Sequence, residues 1–335
     1  MPIQSIGDLS KQFTSLRSGG QIKSDLARLS NELSTGRVSD VTEHLGGDTR
    51  QLSGINHSLK MLKAYKLAAD ETSMLLNHLQ LSLGHIDSIR ESTTSTLFTV
   101  TENSSQQQIG LASEQAKSSF QDIVSTLNGQ FAGKHTMGGT NIDSAPLVDA
   151  DAMLSDILAA IGSTTTTTDI KQIVSNWFDD PSGGFATFAY QGQTGSPISK
   201  SVQPNQNLEI DVNANDQSIR NILKATALAA VISELPVGVT LSEQGSLIQF
   251  AGTEMLGAAS DASSLQSRIG YLQESVEVSR AQIAAETSTF TIAFNDLTSA
   301  DPFETATQLE AVRTQLETHF TITGRLSRLS LVEYI

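Results

Sequence analysis

Ile269-Gly-Tyr-Leu-Gln-Glu-Ser-Val276-Glu-Val-Ser-Arg-Ala-Gln-Ile283 is the centre of a longer periodic run. Around it, Ile248, Met255, Ala262, Ile269, Val276, Ile283, Phe290 and Leu297 fall every seven residues, eight times in succession. Seven residues are close to two helical turns. An apolar residue held at that interval keeps one face of a helix against a partner along a shared seam. Leu265, Leu272 and Phe294 widen the face. No proline, which would remove a hydrogen bond and clash with the preceding turn, interrupts the run. One long helix is therefore predicted over residues 248–297.

Downstream, Asp301-Pro302-Phe303-Glu304 reads as a helix start: Asp301 can cap, Pro302 suits the first helical position, and Glu304 lies three residues after the cap. Leu309, Val312, Leu316, Phe320, Leu326 and Leu329 form the stripe of that last helix, and Leu331 and Ile335 add apolar side chains to its tail. At the other end of the chain, Ile3, Ile6, Leu9, Phe13 and Leu16 step by three or four. Gly19 and Gly20 interrupt, and Ile22, Leu26, Leu29 and Leu33 continue the pattern as far as Gly36. Both terminal stripes are narrow. Helices of this kind are marginal alone in water and need a partner to bury the stripe. The stripe residues of the two ends, with Leu331 and Ile335, are the candidate assembly surface.

Residues 37–50 read as a connector. Leu52, Ile55, Leu59, Leu62, Tyr65, Ala69, Thr72, Leu76, Leu79, Leu83, Ile86 and Ile89 then predict a helix over residues 50–100, which at 1.5 Å per residue would span roughly 75 Å. After a turn at 103–108, Ile109, Ala112, Ala116, Phe120, Ile123, Leu127 and Phe131 form a third stripe.

The middle of the chain differs. Five of the seven prolines lie between Pro146 and Pro236. Residues 153–161 and 170–177 predict short helices separated by a run of threonines at 164–168. Residues 185–190 and 208–212 read as strands, and 219–235 as an Ala-rich helix. The expected fold is mainly α: a long antiparallel rod of N- and C-terminal helices, coiled-coil-like, carrying a small inserted α/β domain. Three parts are expected: terminal helices at 1–48 plus 298–335, a helical rod at 49–145 plus 240–297, and an outward domain at 146–239.

Net charge is −15, which argues against nucleic acid and anionic membrane, since both recruit a basic face. The charge is uneven: residues 141–240 hold 11 acids and 4 bases, whereas residues 1–40 hold 4 acids and 5 bases. Cysteine is absent, which excludes disulfides, thiol catalysis and thiolate metal sites. No window has the apolar length needed to insert in a membrane, and residues 1–20 do not resemble a cleaved secretion signal.

Candidate chemistry is sparse. Asp211, Asn213 and Asn215 match the opening of a calcium loop, but Asp216 stands where that loop needs Gly and Ile222 where it needs Glu, so the stretch reads as a polar turn. His78 and His85 are seven residues apart, not the four of a helical metal pair. Gly138-Gly139 has no following Lys in position to hold a phosphate. Trp177 reads as a core anchor. No catalytic set, cofactor site or metal site can be nominated.

Several stretches resemble the bacterial flagellin family. Leu33-Ser-Thr-Gly-Arg-Val38 is similar to the turn after the family's first helix. Leu127-Asn-Gly-Gln-Phe-Ala-Gly-Lys-His-Thr-Met-Gly-Gly-Thr140, with Asn141, Asp143 and Pro146, resembles the junction branch's exit from the helical core. Phe188-Ala-Tyr-Gln-Gly192 and Asp211-Val-Asn-Ala-Asn215 look like that branch's β-segments. The tail from Thr323 to Ile335 resembles the hook–filament junction members. His135 and Thr136 stand where the family has an aromatic pair, and residues 149–180 form an insertion.

The resemblance implies a non-enzymatic extracellular subunit of the flagellum, joining hook to filament. It implies export through the flagellar channel without a cleaved signal. The implied partners are an export chaperone, a hook-side junction protein, flagellin, and copies of the chain in a ring, with no cofactor. Ile86, Ile89, Arg90 and Glu91 resemble the flagellin stretch recognised by innate immune receptors. On residue pattern alone they form a core stripe beside a surface ion pair. A minor flagellin and a cytosolic coiled-coil adaptor are the competing readings.

Overall fold

The computed structural model describes residues 6–332, apart from 196 and 205. In chain order, the helices are α1 (Ile6–Thr35), α2 (Val41–His44), α3 (Arg50–Leu97), α4 (Gln106–Leu127), α5 (Ala150–Ile161), α6 (Thr167–Asp179), α7 (Gln217–Val231), α8 (Leu241–Thr298) and α9 (Pro302–Val332). Two antiparallel hairpins, β1 (Gln130–Phe131) with β2 (Lys134–His135) and β3 (Ile198–Gln203) with β4 (Gln206–Ile210), are the sheets among the described residues. The fold is mainly α, as the periodicity predicts. The described chain forms two compact units, Met1–Leu62 with Ala285–Ile335, and Lys63–Ala284.

In the second unit the seven-residue seam is the core. Ile248, Met255, Ile269 and Val276 are fully buried, and Ala262 and Ile283 nearly so. Ala69, Thr72, Leu76, Leu79, Leu83 and Ile86 are buried on α3. The two helices run antiparallel. Arg280 reaches Asp70 (2.9 Å) and Gln273 donates to Asn77 (2.8 Å), while farther along Gln249 donates to the Val100 carbonyl (3.3 Å). Gly245 of α8 packs against the loop after α3, where a Cβ would fall 2.7 Å from the Thr101 carbonyl oxygen. Helix α4 is held at its start by a reciprocal pair, Ser105 capping Gln108 N–H and the Gln108 side chain accepting from Ser105 N–H. Its buried face, including Ala116 and Phe120, packs on α7, and the Ser113 hydroxyl donates to the Ala230 carbonyl (2.9 Å).

Arg90 corrects one expectation. Its side chain is buried and donates to half-buried Asp87 (2.7 Å), so the ion pair beside the core stripe at Ile86 is sunk at its Arg90 end and reaches solvent only through Asp87.

Two expectations for the middle of the chain are also corrected. Residues 185–190 do not form a strand: Phe185–Ala189 is a turn of π-helix. The aromatic and β-branched residues there favour a strand locally, but tertiary packing overrides that preference. Phe185 and Ala189, four residues apart, both point inward, and Phe185 joins Trp177, Phe178 and Tyr190 in one aromatic cluster. Strand β4 pairs instead with β3, and Phe131, expected on a helix, lies in β1 stacked on His78 (5.4 Å). Trp177 is a core anchor, its indole N–H donating to Asp156 (2.7 Å).

Candidate assembly interface

The first unit is built on α1 and α9, helices from opposite ends of the chain. They run antiparallel and in contact. At one end the Val38 N–H donates to the Thr298 carbonyl (3.0 Å) and the Ala300 N–H to the Gly36 carbonyl (3.0 Å). Toward the other end the Lys23 ammonium lies 5.6 Å from the Phe320 ring centre. Asp301 caps α9 as the sequence predicts, accepting from the N–H groups of Phe303 (2.8 Å) and Glu304 (3.1 Å).

Helix α1 runs through Gly19 and Gly20 without a break, contrary to the interruption expected there. Each glycine costs roughly 1 kcal/mol in a helix, but at Gly19 the missing side chain leaves room for His319 of α9. A Cβ there would fall 2.8 Å from His319 Nε2. The uninterrupted helix changes the meaning of its stripes. From Leu16 to Ile22 is six residues, about one and two-thirds turns. The second stripe therefore starts roughly a third of a turn from the first, so α1 has two apolar faces.

Ile22 and Leu29 are buried and Leu26 is half-buried, opposite half-buried Leu309, Val312 and Leu316 and buried Thr305. Phe13 and Leu16 are 68% exposed. Leu33, Phe320, Phe303 and Ile322 are exposed as well. Ile6, Leu9, Leu326, Leu329 and Leu331 lie on the two helices by position, while Ile3 and Ile335 lie outside the described residues. The candidate surface thus separates into an inner face closed within the chain and an outer one open to solvent. Thr305, His319, Phe303 and Ile322 were not among the candidate residues. Phe303 falls outside the three–four stepping, Ile322 stands four residues before Leu326 and was passed over, and Thr305 and His319 are polar residues that only the pairing brings inward.

A polar pin holds the turn after α1. The buried Glu32 carboxylate accepts from the Ser39 N–H (2.9 Å) and from Arg28 (3.2 Å). Burial alone would raise its pKa, but the Ser39 and Arg28 donors outweigh that, and the carboxyl sits below its ordinary value. A depressed pKa contributes stability above the ordinary glutamate range, lost as pH falls through the folded-state value. Glu32→Gln is expected to cost this unit about 1–3 kcal/mol at neutral pH. Urea unfolding at pH 7 and pH 3 checks it: the gap from the parent chain should close in acid, and a gap unchanged by pH would refute the assignment.

Residues weighed for metal chemistry do not converge. Arg268 pairs with Asp216 (2.9 Å) and Asp211, placing a guanidinium where a calcium loop would hold its ion. Burial would lower the Arg268 pKa, but Asp216 and Asp211 outweigh it and hold it above its ordinary value. His78 stacks on Phe131, and His85 is exposed. Among the described residues no group of three or more His, Asp or Glu could hold a metal ion. No helix of the described residues is long and apolar enough to cross a membrane.

No protein-family model and no curated protein matches the chain. Among solved structures, one from Vibrio parahaemolyticus, provisionally named a flagellar hook-associated protein, matches with a TM-score of 0.53 at 12% identity, over 73% of this chain and 95% of that one. At that identity the likeness is one of fold.

Proposed function

We propose that the chain is a non-enzymatic structural subunit of a bacterial flagellum that joins hook to filament, a junction piece of the hook-associated protein 3 type. One observation carries the reading. Helices from the two ends of the chain pair, and the pair leaves Phe13, Leu16, Phe303, Phe320 and Ile322 exposed. Large apolar side chains grouped on one helical pair are unfavourable in water until another surface covers them. The resemblances at residues 33–38, 127–140 and 323–335 and the fold likeness support the same reading.

In this proposal residues 1–48 plus 298–335 face inward in the assembly as a coiled-coil pair. Residues 49–145 plus 240–297 form an antiparallel rod, and residues 146–239 project outward. The chain is exported unfolded without a cleaved signal, escorted by a chaperone, and works outside the cell. It then meets a hook-side junction protein, flagellin and copies of itself in a ring. Nucleic acid, membrane insertion and cofactors have no part.

Deleting the gene is the test. Cells lacking it should make flagellin yet shed it unpolymerised into the medium, and restoring the gene should return filaments to hooks. Normal attached filaments in the deletion strain would overturn the proposal. If the purified chain instead seeds long filaments of itself, it is a minor flagellin.

A further inference from the structure

Asn128-Gly129 is the one Asn-Gly step in the chain, and the fold clamps it. Asn128 ends α4, its N–H donating to the Val124 carbonyl (2.9 Å). Its side chain grips the backbone of Leu147 twice. The amide NH2 donates to the Leu147 carbonyl (2.9 Å), and the amide oxygen accepts from the Leu147 N–H (2.9 Å). Leu147 is buried, and its neighbours are tied on their other side: the Gln191 N–H donates to the Pro146 carbonyl (2.8 Å) and the Val148 N–H to the Ala189 carbonyl (3.0 Å). Asn128 therefore joins the end of α4 to the segment that carries Tyr190 and the aromatic cluster.

An Asn followed by Gly has a reaction of its own. The Gly nitrogen, unhindered by a neighbouring Cβ, attacks the side-chain carbonyl carbon of the Asn. A new C–N bond forms, the bond to the amide nitrogen breaks, and ammonia leaves with the proton given up by the peptide nitrogen. The cyclic imide then takes up one water and opens to Asp or iso-Asp. The folded chain opposes each requirement. The amide is held by Leu147, and the Gly129 N–H is engaged by the Thr126 carbonyl (3.1 Å). Ring closure also needs a backbone turn far from the ψ of 2° that Asn128 has at the end of α4.

We propose that Asn128 is a spontaneous deamidation site that folding closes: reactive in the unfolded chain, protected once Leu147 is gripped. The proposal goes beyond the assembly role and does not depend on it. The product matters because a carboxylate cannot donate. At this position it would set an anionic oxygen against the buried Leu147 carbonyl and leave that carbonyl unpaired. The iso-Asp form adds a backbone atom between α4 and β1 as well. A chain held unfolded for long thus loses the clamp it needs when it folds.

The test uses the full-length chain, incubated native and in guanidinium at the same mildly alkaline pH, with peptide mapping by mass spectrometry. Asn103, exposed on the turn before α4 and followed by Ser104, is the internal comparison. In the denatured chain Asn128 should deamidate several-fold faster than Asn103, and Gly129→Ala should remove most of that excess. In the native chain, where reaction needs local opening, Asn128 should slow more than tenfold while Asn103 changes little. Asn128→Asp should lower the unfolding midpoint read from Trp177 fluorescence. A denatured Asn128 no faster than Asn103 would overturn the site. Equal native and denatured rates at Asn128 would overturn its closure by folding, and an Asn128→Asp chain with the parent's midpoint would overturn the consequence drawn for the clamp.

Discussion

A chain cut after His319 is expected to leave filaments unjoined to hooks while its second unit stays folded. The cut removes Phe320 and Ile322, both exposed on the terminal pair, together with Leu326, Leu329, Leu331 and Ile335. It spares the contact of His319 with Gly19 and the Asp301 cap. The effect should therefore fall on assembly, not on folding. The only tryptophan, Trp177, is buried inside the second unit, so its fluorescence reports the folding of that unit alone. Truncated protein should show the parent's tryptophan unfolding midpoint, and cells carrying it should shed flagellin as the deletion strain does. Normal filaments from the truncated chain would remove the tail from the proposed interface.

Ile283→Ala is the corresponding test of the core. Ile283 is 2% exposed near the end of the seven-residue seam of α8. Truncating a buried Ile to Ala loses its transfer free energy and leaves a cavity, at about 2–5 kcal/mol. Domain stabilities are commonly about 5–15 kcal/mol, so the loss is a large share of the total. Tryptophan-detected urea unfolding should show the midpoint fall with little change in slope. An unchanged midpoint would mean that the seam does not carry the stability of this unit.

Much of the architecture could be read from local pattern. The seven-residue spacing predicts a long helix with a buried face, and Ile248 to Ile283 are buried as that spacing requires. The Asp301 cap was legible because capping is a matter of residue type at fixed positions within one turn. The aromatic stretch at 185–190 was misread because its residues favour strands, while the deciding influence was packing against Trp177 and Phe178 from α6. The candidate assembly residues were found as two stripes, but which of them face inward was not legible. That depended on whether Gly19 and Gly20 break the helix.

By itself the sequence determined the helical class, the seam, the caps and the absence of any cysteine chemistry. These follow from periodicity, backbone propensity and composition, which act over a few residues. Only the tertiary structure decided that α1 is continuous, that Ile22 and Leu29 close against α9 while Phe13 and Leu16 stay open, and that Arg268 fills the turn at Asp211. The physical reason is distance along the chain. Gly19 and His319, or Asp211 and Arg268, meet only after folding, and the free energy of such contacts depends on which partner arrives.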